Sequence, residues 1–278
     1  VAGFAFAAFF HRHLRPHTFA EIKPESWRLL LLLAVLEGAI APTLIFLALS
    51  EIPVASVVLV QSIKVPLILL LAWWLRRERP SFLSLTGAGV AVGGIALMIL
   101  LKPSAGLAGI PWGWHEGKVA LASFLFVFAT QLRRRLGPDL PLGIYFLTRS
   151  AVGGLVFALL VLALFGPSHF TDIWKPFLWK WMLVYGLLVV AAGQITWQIA
   201  IRSVGAAEVS ASEAATPVLG ILFAFLLLHQ PPTSAEWLGG LIVIAGMSIT
   251  LWGARKGTGL SQTTTILSKP GPGPFTGI

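Results

Sequence analysis

The chain has no cysteine, which excludes a disulfide framework, a thiolate metal site and a cysteine nucleophile. Charge is scarce as well: Asp, Glu, Lys and Arg make up 11% of 278 residues, against about a quarter in soluble domains. Acids are the rarer sign, 11 against 20 basic residues for a net charge of +9. That surplus does not indicate nucleic acid, because the basic residues sit in short clusters between apolar runs, as topology determinants do. No Gly-rich phosphate loop or nucleophile motif occurs, and no histidine lies within the later apolar runs, which argues against ATP drive within this chain and weighs against an enzyme. What the chain has in abundance is apolar surface. Hydrophobic residues reach 56% and the mean hydropathy is +0.85, the profile of a polytopic membrane protein.

Val1 to Phe10 is about half a span and runs into His11-Arg12-His13-Leu14-Arg15, so it reads as the remnant of a helix in a chain truncated at its N-terminus. Full spans are expected at 27–50, opened by Pro24-Glu25-Ser26 with Ser26 as N-cap, then at 53–75 and 81–101. Arg76-Arg77-Glu78-Arg79-Pro80 ends the second of these, since proline has no donor and restricts its predecessor. A Gly/Pro/Trp loop at 102–117 is the longest internal break. Beyond it, spans are expected at 118–136, 142–165, 177–203, 206–228 and 237–251, followed by a polar, Gly/Pro-rich tail from 254 to 278 expected to be disordered.

Lys and Arg distribute unevenly over alternating loops. One side collects fourteen, from Arg12 to Lys269, against Lys102, Lys118, Lys175 and Lys180 on the other. The richer side is expected to be cytoplasmic, the C-terminus with it, in a bacterial inner membrane. Lys64 and Arg149 belong to neither side and fall within spans.

A shift of 152 residues superposes Pro80 on Pro232, Gly87 on Gly239, Gly94 on Gly246, and several apolar positions such as Val57 on Val209 and Leu67 on Leu219. The linker 76–80 is strongly basic, whereas its counterpart 228–232 has no Lys or Arg. Equivalent segments with opposite charge bias imply opposite insertion, an inverted-topology repeat of the kind that builds secondary transporters.

Two stretches carry a family likeness: FLALSEIPVASVVLVQSIKVPLILLLAWWLRRERPSFLSLTGAGVAVGGIALM and WQIAIRSVGAAEVSASEAATPVLGILFAFLLLHQPPTSAEWLGGLIVIAGMSI. Each is a helix end, a Gly/Pro-Ala turn, a proline-bearing helix, a short linker and a glycine-bearing helix. In this the chain resembles the EamA-like members of the drug/metabolite transporter superfamily. The resemblance implies an all-α membrane protein of two inverted five-helix halves with both termini cytoplasmic, about nine of its ten helices being present here. It also implies export by alternating access. The halves are then 1–101, truncated at the N-terminus, and 118–253, joined by an extracytoplasmic loop at 102–117. The acidic residue usual at the linker is present as Glu78 and replaced by Gln230 in the second half.

The polar residues inside the spans are the candidates for substrate binding. Gly205 to His229 carries Glu208, Ser210, Ser212, Glu213, Thr216 and Pro217 within an apolar run, and a carboxylate facing lipid at such depth costs about 3 kcal/mol or more, so it must face protein or water. Ser210, Glu213 and Pro217 share one helix face. The 152-residue shift pairs Gln61 with Glu213 and Lys64 with Thr216, placing these at similar depth. Gln194 and Gln198 share a face beside Trp197, and Glu37 and Arg149 complete the set. Two readings stand side by side: a structural charge network in which acids and bases neutralise one another, or a cavity in which Glu213 and Lys64 meet a zwitterionic metabolite or a proton. The expected partners are a small-molecule substrate, protons, the lipid bilayer and a second copy of the chain, with no cofactor, no metal and no nucleic acid. The competing functions are a lipid or lipid-linked-sugar flippase of the same fold, and a membrane enzyme acting on lipid-linked substrates; the cluster His11, His13 and His17 that an enzyme would call on sits beside arginines in a linker, where positive-inside charge explains it.

Overall fold

The computed structural model describes the backbone of residues 2–10, 22–76, 80–101, 113–133, 136, 140–196 and 206–257. Most of it falls in nine helices, α1 (Ala2–Phe9), α2 (Pro24–Leu49), α3 (54–76), α4 (Phe82–Leu101), α5 (Trp114–Arg133), α6 (Leu142–Phe165), α7 (Pro176–Thr196), α8 (Ala206–Leu228) and α9 (Ser234–Gly257), with a 3-10 helix at Pro167–Trp174 between α6 and α7. Among the described residues six stretches are long and apolar enough to cross a membrane: α2, Val54–Leu71 of α3, α4, α6, α7 and Ser234–Gly253 of α9. This is a multi-pass membrane protein.

The boundaries differ from expectation where local chemistry overrides hydropathy. α2 starts at Pro24 with Lys23 as N-cap, not at Ser26, because proline's fixed φ is already helical and its missing N–H is lost anyway in the first turn. The helix expected over 118–136 runs from Trp114 to Arg133, launched by Gly113 at φ +87, a conformation glycine adopts without penalty. α9 remains helical through Gly257, so the polar tail does not begin at 254; residues 258–278 lie outside the described residues.

The helices form two compact units, and each draws on both halves of the sequence. The first comprises Val1–Ile52 with Trp114–Gly205, the second Pro53–Gly113 with Ala206–Ile278. In the first unit Phe6, Leu30, Leu33, Ala129, Ile144, Tyr145 and Phe146 form a buried cluster, with the Phe6 and Phe146 rings stacked 4.6 Å apart. α2 and α6 cross at Gly38 and Gly153, where a Cβ on Gly38 would lie 2.8 Å from the Gly153 Cα. Small residues allow this approach, which membrane helices need because packing, not water exclusion, joins them.

In the second unit α4 and α9 share a glycine seam. A Cβ on Gly87 would lie 2.3 Å from the Thr250 nitrogen, and one on its repeat-mate Gly239 would lie 2.6 Å from Met98 Cβ, the mate of Thr250. Likewise a Cβ on Gly246 would lie 2.3 Å from the Ala91 nitrogen, and one on Gly94 would lie 2.9 Å from the nitrogen of Val243, the mate of Ala91. Position along α4 rises as position along α9 falls, so the two helices are antiparallel and each contact recurs with its partners exchanged. This is the inverted repeat seen as packing.

Candidate functional site

The first unit places an acid, two bases and a phenol together inside its helices. Glu37 lies at the middle of α2, in a π-helical turn over Leu36–Ile40 whose wide hydrogen bond runs from the Ala41 N–H to the Leu36 carbonyl. Pro42 follows directly and has no N–H to return to Gly38, so the regular ladder is interrupted there. Arg149 opens a second π-helical turn, Arg149–Gly153 in α6. Such turns are rare and concentrate at functional positions.

Tyr145 sits one turn before Arg149 on the same face of α6. Its buried hydroxyl donates a hydrogen bond to Glu37 Oε2. Arg133, at the end of α5, donates from Nη1 to the same hydroxyl at 3.4 Å and holds its guanidinium carbon 5.2 Å from the centre of the Tyr145 ring, a cation–π contact. Arg149 Nε approaches Glu37 Oε2 to 3.6 Å, close enough for charge attraction and too far for a hydrogen bond. That Nε is buried and, among the described residues, has no hydrogen-bond partner. Glu37 is therefore held by Tyr145 and neutralised by Arg149.

The second unit holds another interruption, at the middle of the span Val54–Leu71. α3 breaks between Gln61 and Lys64, where Ser62 N and Ile63 N reach only three residues back, to Leu59 O at 3.1 Å and Val60 O at 3.1 Å. Pro66 cannot donate to Ser62 O, and Val65 N takes that carbonyl at 3.2 Å. Lys64 Nζ donates to Gln61 Oε1 at 3.0 Å, both residues half-buried. Broken helices of this kind carry the binding sites of many secondary transporters.

Of the residues singled out from the sequence, two pairs are thus brought together, Glu37 with Arg149 and Gln61 with Lys64. Arg149 is directed at Glu37. Thr216 is exposed, Pro217 is buried within a continuous α8, and Gln194 is half-buried in α7. The side chains of Ser210 and Glu213, and Trp197 and Gln198 altogether, lie outside the described residues. Sequence reasoning passed over Tyr145 and Arg133, although Tyr145 precedes Arg149 by one helical turn.

It also passed over Glu236. Thr233 N and Oγ1 donate to Glu236 Oε2 at 2.9 Å and 3.1 Å, while Glu236 N donates to Thr233 Oγ1 at 3.3 Å. This is a capping box, legible as Thr-x-x-Glu before an apolar run. Ser56 Oγ of α3 donates to the other carboxylate oxygen, so a fully buried acid accepts from three donor atoms, with no basic partner among the described residues. Gln230, where the family pattern has an acid, accepts from Val54 N at 3.2 Å and caps α3. Glu236 also borders an otherwise apolar groove of about 440 Å³ between α8 and α9, walled by Ile221, Phe225, Trp237 and Leu241.

The family model of EamA-like transporters matches residues 1–100 and 117–252 of the chain. An uncharacterized transporter of Synechocystis is 31% identical over 240 residues, covering 85% of this chain and 69% of that one. An uncharacterized transporter of Methanothermobacter thermautotrophicus is 24% identical over 236 residues, with 85% and 68% covered. A WAT1-related protein of Arabidopsis thaliana is 31% identical over 86 residues, 31% of this chain and 24% of that one. A known crystal structure superposes with a TM-score of 0.54 at 19% identity, covering 92% of this chain and 96% of the other, a likeness of fold.

Proposed function

Since the chain belongs to the EamA-like transporter family, we propose that it exports small metabolites, amino acids or related amphipathic compounds, across a bacterial cytoplasmic membrane by alternating access, with its C-terminus in the cytoplasm. The observation that carries this reading is the Glu37–Tyr145–Arg149 cluster. Ionisable groups in the middle of spans are expensive and persist where a polar path needs them. The Gln61–Lys64 pair at the break in α3 supports it with a second polar station at mid-span. Within the second unit, Glu213 on α8 is assigned to substrate binding by its repeat relation to Gln61. The transporter reading leaves no place for catalysis.

A lipid or lipid-linked-sugar flippase is the second reading, favoured by the apolar groove between α8 and α9. It is the weaker one, because among the described residues the groove's one acid, Glu236, already accepts from three donor atoms and no basic residue lines the groove to meet a headgroup phosphate.

The test is efflux from proteoliposomes loaded with a panel of labelled amino acids and amphipathic metabolites. Transport of at least one compound by the wild type, reduced about tenfold or more in Glu37→Gln and Glu213→Gln, supports the proposal. Movement of fluorescent lipid with none of the metabolites transfers the function to the second reading.

A further inference from the structure

The groove of about 440 Å³ between α8 and α9 has the size of a small-molecule site, about 300–1,000 Å³. It lies on the apolar stretches Thr216–Leu228 and Ser234–Gly253, begins at the turn Pro231-Pro232 beside Trp237, and runs down the hairpin to Val218 and Ile244. From Trp237 to Ile244 α9 rises about 10 Å at about 1.5 Å per residue, roughly two-thirds of one leaflet of a hydrocarbon core about 30 Å thick. The walls are large, exposed side chains, Leu222, Phe225, Trp237 and Leu241. The nearby glycines are spent inside the unit: Gly220 faces Val58, Gly239 faces Met98 and Gly240 faces Leu59. A second helix is about 10 Å across and packs through small residues that let backbones meet. A slot with large walls and its glycines turned inward admits something thinner. Charge points the same way. No lysine or arginine occurs between Arg202 and Arg255, and the groove's one acid, Glu236, is buried and accepts from Ser56 and Thr233. An anionic headgroup would find no basic partner here.

We propose that this groove seats one acyl chain of a resident phospholipid with a zwitterionic headgroup, bound from the leaflet at the α8–α9 turn. The chain lies along the hairpin, and the headgroup stays level with Pro231, Pro232 and the interfacial Trp237. With the C-terminus in the cytoplasm, this is the extracytoplasmic leaflet. An acyl chain supplies the dispersion contacts that the walls of a slot forfeit when nothing fills it, so the lipid stiffens the hairpin. It is a ligand and not cargo, and the assignment rests on neither reading of the function.

The test uses the full chain and two independent readouts. In liposomes, a phosphatidylcholine carrying a diazirine in its acyl chain is photolysed and the labelled peptides of the wild type are mapped. Labelling concentrated on 218–225 and 237–244 supports the seat; labelling spread evenly over the exposed faces of α4 and α6 as well overturns it. In detergent, native mass spectrometry follows retained phosphatidylethanolamine in three proteins. These are the wild type, the double variant Val218→Phe, Ile244→Phe that fills the groove, and Val90→Phe on the exposed face of α4. The wild type and Val90→Phe should retain one lipid that the filled variant binds about tenfold or more weakly. Added phosphatidylethanolamine should raise the melting temperature of the wild type and leave that of the filled variant unchanged. Equal retention by the filled variant overturns the assignment, and so does a preference of about tenfold or more for phosphatidylglycerol. A cross-link between two chains through this hairpin, lost in the filled variant, gives the groove to a second copy instead. Passage of labelled lipid between leaflets that stops in the filled variant makes the occupant cargo and overturns its residence.

Discussion

Tyr145 donates its hydroxyl hydrogen to Glu37, a residue 108 positions earlier in the chain, inside a helix pair of the first unit. Tyr145→Phe keeps the ring and its packing and removes only this donor. A hydrogen bond to a charged group contributes about 1.5–3 kcal/mol, so unfolding of the purified variant should show a loss in that range. An unchanged melting curve would mean that the bond adds nothing to the fold.

The Glu37–Arg149 pair makes a non-additive prediction. Glu37→Gln leaves Arg149 buried without its counter-charge, at a cost of roughly 3–5 kcal/mol. The double variant Glu37→Gln, Arg149→Gln removes both charges and should be more stable than the Glu37→Gln single. Thermal unfolding of the wild type, both singles and the double closes the cycle; additive losses would show that the two side chains do not interact.

The glycines of α4 divide into two kinds. Gly87 and Gly94 face α9, whereas a Cβ on Gly89 or Gly93 meets nothing within 4 Å. Gly87→Ala must drive apart two backbones and should destabilise by about 1–3 kcal/mol or more. Gly89→Ala should be neutral or stabilise by up to about 1 kcal/mol through helix propensity. A melting-temperature comparison of the two alanine variants decides whether the seam is as tight as described.

Glu236 carries a fourth prediction. Thr233→Ala removes the hydroxyl that both caps α9 and donates to the carboxylate, and should cost about 0.5–2 kcal/mol. Hydrogen exchange should quicken at the first turn of α9 and leave α2 and α6 unchanged; uniform quickening would mean that the cap is coupled to the whole fold.

The sequence discloses this fold well, because membrane spans announce themselves by composition and the inverted repeat leaves Pro and Gly at a constant offset. The 152-residue register read from Gly87 and Gly239 is the register in which they pack, each against the other's helix. The pairing of Glu37 with Arg149 was not legible. Both were identified as intramembrane charges, yet which acid meets which base depends on helix rotation at π-turns, and a π-turn has no residue signature beyond the nearby Pro42. Gln61 with Lys64 was easier, being three residues apart on one helix. Tyr145 escaped notice because an aromatic within an apolar run reads as packing until a carboxylate is found beside its hydroxyl. The compact units were hidden for another reason: hydropathy ranks segments along the chain, and nothing in it says that α4 should pair with α9 across more than half the sequence.

The reciprocity of the α4–α9 seam has an evolutionary corollary. It is an isologous interface folded into one polypeptide, in which two homologous helices serve as each other's binding partner. Once joined in a single gene, the copies are free to diverge over most of their surfaces, and Glu236 opposite Ser84 in the repeat shows that they have. Along the seam they are not free, since bulk gained on either helix must be surrendered on the other. Related chains should therefore show compensating size changes between positions 87 and 250, and in mirror image between 239 and 98, while the rest of the repeat drifts apart.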